Sequence, residues 1–135
     1  MRIIALRGKD HCGKTETFNI LYNRILENSG NSTCKKIEGN PIYNDFSDIV
    51  NYKDLKIAFF SMGDYSTETI RIIKEYDKPN IDILILASNI KFVKPIKLIE
   101  KYNHHLVLKT ISTANTVKDQ LKANNSDVEK IFDFI

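Results

Sequence analysis

An α/β sandwich with a largely parallel sheet is the fold class the sequence predicts, on three observations. Short apolar runs at 2–7, 56–61 and 81–88 suit strands buried on both faces. Between them, apolar residues recur at helical spacing. Two β-prone segments, 46–52 and 55–60, are separated only by the polar pair Lys53-Asp54, which predicts a hairpin and one antiparallel edge strand. The expectation is a single domain over residues 1–135, with helices on both faces of about five strands.

Taken in order, residues 2–7 form the first strand and residues 13–28 the first helix, with Phe18, Leu21, Ile25 and Leu26 on its inner face. The cluster Asn28-Ser29-Gly30-Asn31-Ser32 stops that helix. Residues 30–45 read mainly as loop, with a short strand at Lys35-Lys36-Ile37. After the hairpin, a helix over 67–76 is capped by Ser66 or Thr67 and buries Ile70 and Ile73. Ile81 to Ser88 is the clearest strand. Pro95 opens a short helix to Lys101 with Ile96 and Ile99 inward, and His105 to Lys109 form another strand. Residues 110–125 are polar and ambiguous. Ser126-Asp127-Val128-Glu129 reads as a capping box that opens a final helix through Ile131, Phe132 and Ile135.

The strongest chemical signal is Gly8-Lys9-Asp10-His11-Cys12-Gly13-Lys14-Thr15, a complete G-x-x-x-x-G-K-[ST] sequence between a strand and a helix. Gly8 and Gly13 let the backbone take positive φ and approach an anion. Successive N–H groups, with that of Glu16, then point inward at the positive end of the helix. Lys14 supplies a point charge for β- and γ-phosphates, and Thr15 a hydroxyl for Mg²⁺, which prefers oxygen ligands.

Through this Walker A motif the chain resembles the P-loop NTPase superfamily, which implies a bound Mg-nucleotide, ATP or GTP. Phe60-Ser61-Met62-Gly63 is similar to the D-x-x-G turn of small G-protein-like members, with Phe60 where the acid stands. The resemblance implies that Gly63 presents its N–H to a γ-phosphate. It also places Asp64 where relatives position the attacking water, or within reach of Mg²⁺ through a water. Asp45 and Asp48 lie before and within the first hairpin strand, and in the same reading residues 30–47 are a switch segment in which Ser32, Thr33 or Ser47 completes the Mg²⁺ shell on nucleotide binding. Ser88-Asn89-Ile90-Lys91 lacks the N-K-x-D spacing that reads guanine, and no Asp follows, which favours ATP. Thr110 to Thr113 and Asn115 lie where a loop could flank the base.

Composition narrows the function class. A net charge of +3 permits a nucleic-acid partner without arguing for one, and Lys94, Lys97 and Lys101 read as a solvated helix face over Ile96 and Ile99. The longest apolar run, 83–87, is too short to cross a bilayer, and no charged leader precedes the first strand, so a cytoplasmic protein is expected. Cys12 and Cys34 make neither a disulfide framework nor a zinc site. His104-His105 has no partners at metal-ligand spacing. Three classes follow: a small switch or assembly NTPase with slow hydrolysis, a small-molecule or nucleotide kinase, and a nucleotide-binding module without turnover. Kinases of this kind usually carry an arginine-bearing lid; this chain has only Arg2, Arg7, Arg24 and Arg71. The NTPase reading is the one carried forward, with Lys14 and Asp64 as its working residues.

Overall fold

The computed structural model describes all of residues 1–135 as an α/β domain with a mixed sheet. In chain order the strands are β1 (Arg2–Gly8), β2 (Asn31–Ser32), β3 (Lys36–Ile37), β4 (Phe46–Tyr52), β5 (Leu55–Phe60), β6 (Ile83–Asn89) and β7 (Asn103–Leu108). The helices are α1 (Lys14–Glu27), α2 (Ser66–Tyr76), α3 (Val93–Ile99) and α4 (Val117–Phe132). The sheet order is β2-β4-β5-β6-β1-β7, and β3 also pairs with β4. β5, β6, β1 and β7 are mutually parallel, and β4 runs antiparallel to β5 through the predicted hairpin.

Alternation along β1 shows why the sheet is covered on both sides. Ile4 and Leu6 join the core beneath α1 and α4, with Phe18, Leu21, Ile25, Val128 and Ile131. Ile3 and Ala5 join the opposite core beneath α2 and α3, with Ile72, Ile73 and Ile99. Successive side chains of a strand point to opposite faces, so a run apolar at every position needs two helical layers. No helix is long and apolar enough to cross a membrane.

The structure corrects several local expectations. β2 is an exposed two-residue strand without the apolar alternation that would announce it, whereas β3, also two residues and exposed, falls within the short strand expected at 35–37. Their pairing with β4 means that β4 is not a bare edge. β2 and the segment after it are tied down by Asp48, fully buried, which accepts hydrogen bonds from Tyr22 Oη (2.7 Å), Ser32 Oγ and Cys34 N (2.9 Å). Burial and the neighbouring Asp48 push the Tyr22 hydroxyl above its ordinary range.

α2 begins at Ser66, after Tyr65 in an extended conformation, without a side-chain cap. α3 begins at Val93, so Pro95 is its third residue. Its missing N–H falls there among first-turn groups that have no intrahelical acceptor anyway. α4 starts at Val117, nine residues before the capping box that the sequence suggests. The true cap is Thr116, whose Oγ1 accepts from Asp119 N (3.2 Å). Asp127 caps nothing: it lies mid-helix and fully buried, paired with Lys109 Nζ (3.0 Å) and accepting from Thr110 N (2.8 Å) and Thr110 Oγ1 (2.6 Å).

Candidate functional site

The carboxyl ends of the parallel strands meet at one edge of the sheet. Gly8 closes β1 directly across from Asn89 of β6. Lys109, just after β7, donates its N–H to Arg7 O (2.7 Å). β5 leads into Ser61, whose N–H donates to Phe46 O (3.0 Å). A cleft of about 740 Å³ opens here, walled by residues 9–16, 61–65, Lys109 to Ser112 and the first half of α4. Ligands of parallel sheets bind beyond the carboxyl ends of the strands, and this cleft occupies that place.

The sequence motif forms its floor. Gly13 takes φ 96°, a left-handed conformation that suits glycine, and serves as the N-cap position of α1. The other left-handed residue of the loop is His11 (φ 56°), not Gly8, which remains part of β1. Gly8 is needed for space: a Cβ there would stand 2.5 Å from Cys12 Sγ and 2.9 Å from Lys109 Cβ. Cys12 therefore folds back against β1. Both cysteines are free.

Lys14 is buried, with 5% of its surface exposed. Its Nζ donates to Lys9 O (2.7 Å) and Gly8 O (3.2 Å) and forms an ion pair with Asp64 (3.4 Å). The loop thus curls around its own lysine, held ready at the cleft floor. Thr15 Oγ1 donates to Asp45 Oδ1 (2.8 Å), and Ser61 Oγ donates to the same oxygen (3.0 Å). Burial raises the Asp45 carboxyl above its usual range, with Asp64 and Glu16 adding to the rise and the Thr15 and Ser61 hydroxyls opposing it.

Asp45 was visible in the sequence, but its distance from the loop, thirty residues along the chain, hid its partnership with Thr15. Ser32, Thr33 and Ser47, the hydroxyls expected to complete a metal shell, are engaged elsewhere. They donate to Asp48, to Ile49 O (2.6 Å) and to Glu38 (2.7 Å) respectively. The residue that meets the threonine is Asp45. No cluster of three or more His, Cys, Asp or Glu side chains that could hold a metal ion occurs.

Asn89 is a second residue the sequence reading did not single out for this role. Only 2% exposed, it donates from Nδ2 to Asp10 and to Asp64 Oδ1 (3.2 Å), linking the loop to the residue facing Lys14. Gly63 is buried where β5 gives way to the cleft wall; a Cβ there would meet the Ala87 carbonyl carbon at 2.7 Å. Its O accepts from Asn89 N (2.9 Å), so the glycine is what lets this turn lie against β6. Glu16, Lys9 and Asp10 are exposed at the rim, Asp10 within 3.7 Å of Lys91 Nζ.

No family model, curated protein or solved structure matches the chain. The chemistry of the cleft is therefore what bears on function. Its buried positive groups are Lys14, the N-terminus of α1 and Lys109, the last neutralised by Asp127; Lys9 and Lys91 stand exposed at the rim, and no arginine lines it. Arg7 donates to Ile90 O (3.0 Å), Arg2 to Phe134 O (2.9 Å), Arg24 pairs with Glu129 and Arg71 with Glu68 and Glu75. Thr110, Ser112 and Asn115 do line the cleft, together with Ile111. Lys94, Lys97 and Lys101 are exposed and outside it.

Proposed function

We propose that the chain is a P-loop-type domain that binds a Mg-nucleoside triphosphate in this cleft, ATP in preference to GTP. It hydrolyses the nucleotide slowly, as a small switch or assembly NTPase of the cytoplasm. The observation that carries the reading is the meeting of Lys14 and Thr15 with two carboxylates, Asp64 and Asp45, at the start of α1.

The residues divide the work in a simple way. The backbone N–H groups from 13 to 16 lie at a helix N-terminus, where partial positive charge favours phosphate oxygens. Lys14 exchanges loop carbonyls and Asp64 for phosphate oxygens, which as charged acceptors are the stronger partners. Thr15 and Asp45 offer a hydroxyl and a carboxylate, the hard oxygen set that suits Mg²⁺ with phosphates supplying further ligands. Bound there, the ion would neutralise charge on the phosphates. Asp64 is released from Lys14 as phosphate enters. It stays tethered by Asn89 and then accepts a hydrogen bond from a water aligned on the γ-phosphorus. The water oxygen bonds to phosphorus as the bond to the β–γ bridging oxygen breaks; the water's proton passes to Asp64, and the bridging oxygen leaves with the nucleoside diphosphate.

The absence of arginine from the cleft favours slow hydrolysis over efficient phosphoryl transfer, because charge that develops on the transferred group has no guanidinium to meet it. Phosphate release, compared with phosphate appearing on added small acceptors, separates these activities. Asp64→Asn is expected to lower the phosphate-release rate by about 10²-fold, the scale of a positioned base, while ATP affinity changes by less than about tenfold. Unchanged turnover in that variant would remove Asp64 from the mechanism.

A further inference from the structure

Beyond the phosphate end, one face of α4 is built for a ligand that the protein's own contacts do not supply. Val117, Gln120, Leu121 and Asn124 fall at i, i+3, i+4 and i+7 and share that face. Asn124 is only 8% exposed, yet its side-chain amide makes no hydrogen bond within the protein. It is not among the sealed unpaired polar atoms, which are Arg2 Nε and Arg7 Nε. The amide is therefore not fully sealed, and Asn124 lines both the main cleft and an adjoining groove between α1 and α4. It stands against Gly13, where a Cβ would lie 2.9 Å from Asn124 Oδ1.

Apolar surface flanks it. Ile111 of the cleft is 65% exposed, and Val117 and Leu121 of the groove are 82% and 50% exposed. Asn124 lies where the cleft, with Ile111, meets the groove, with Val117 and Leu121. The wall from Lys109 through α4 presents no free carboxylate to the cleft: Asp127 is closed off by Lys109 and Thr110. A carboxylate there would be needed to accept from the imino and amino groups of guanine. An amide offers a donor beside an acceptor, the pattern that complements the N7 and 6-amino edge of adenine and opposes the paired acceptors of guanine.

We infer that Asn124 is the residue that selects adenine, an assignment that rests on the nucleotide reading of the cleft. Its amide donates to N7 and accepts from the 6-amino group, while Ile111 and the α4 face cover the ring. Binding of ATP, GTP, 7-deaza-ATP, purine riboside triphosphate and inorganic tripolyphosphate to wild type and to Asn124→Ala tests it. Wild type should bind ATP roughly tenfold or more tighter than 7-deaza-ATP, purine riboside triphosphate or GTP. Asn124→Ala should lose that preference while binding tripolyphosphate as wild type does. The base analogues give the answer on wild type alone should the variant fail to fold. If ATP binds but the analogues bind equally well, or Asn124→Ala keeps full discrimination, the role of Asn124 is overturned and the phosphate site stands. If neither ATP nor tripolyphosphate binds wild type, the nucleotide reading falls and the inference with it.

Discussion

Lys14→Ala is expected to weaken ATP binding by about a hundredfold, with the fold retained. Hydrogen bonds to charged groups contribute about 1.5–3 kcal/mol, and the ammonium is the sole buried cation at the floor not held by a buried carboxylate. Its present partners tolerate its loss. Asp64 is 44% exposed and can return to water, Gly8 O still accepts from Ile90 N (3.1 Å), and Lys9 lines the cleft. Circular dichroism and a thermal melt of the variant should resemble wild type, while fluorescent-nucleotide titration loses its signal. A variant that folds and binds as wild type would remove Lys14 from the site.

The largest expected effect on stability lies one layer down. Lys109 and Asp127 form a fully desolvated ion pair, with side chains 1% and 0% exposed, directly behind the loop glycines. Asp127→Ala leaves an unpaired buried ammonium and strips Thr110 N and Oγ1 of their acceptor. Removing one partner of such a pair costs about 3–5 kcal/mol. A domain is stable by only about 5–15 kcal/mol, so urea unfolding should move to much lower denaturant. The double variant Lys109→Met/Asp127→Ala should recover the part of the loss that comes from the unpaired ammonium, since an apolar stem needs no counter-charge, while Thr110 N and Oγ1 stay without their acceptor. Failure of the single variant to destabilise would contradict the buried pair.

These two residues also show what the sequence could and could not disclose. Lys14 was legible because its partners are local: a glycine loop between a strand and a helix lies within eight consecutive residues. The hairpin and the apolar strands were legible for the same reason, since period and turn length are local properties. The run Ser126-Asp127-Val128-Glu129 misled, because a serine followed three residues later by an acid, with apolar residues beyond, reads as a capping box until the distant lysine that Asp127 neutralises is known. Asp45, Asn89 and Asn124 reach the loop only through tertiary contact, from 30, 79 and 111 residues beyond Thr15, Asp10 and Gly13 respectively. The strand order was hidden as well. β5, the source of Ser61 and Asp64, pairs with β6, which lies between it and β1, and Asn89 at the end of β6 bridges the interval.

The central claim is that the loop at 8–15 holds a Mg-nucleotide, and calorimetric titration of the wild-type chain with ATP tests it most directly, in excess Mg²⁺ and again in EDTA. The account predicts saturable one-to-one binding in Mg²⁺ that weakens roughly tenfold or more in EDTA, as Thr15 and Asp45 lose the cation that joins them to the phosphates. Absence of heat or saturation in Mg²⁺, or equal affinity in both buffers, would contradict it.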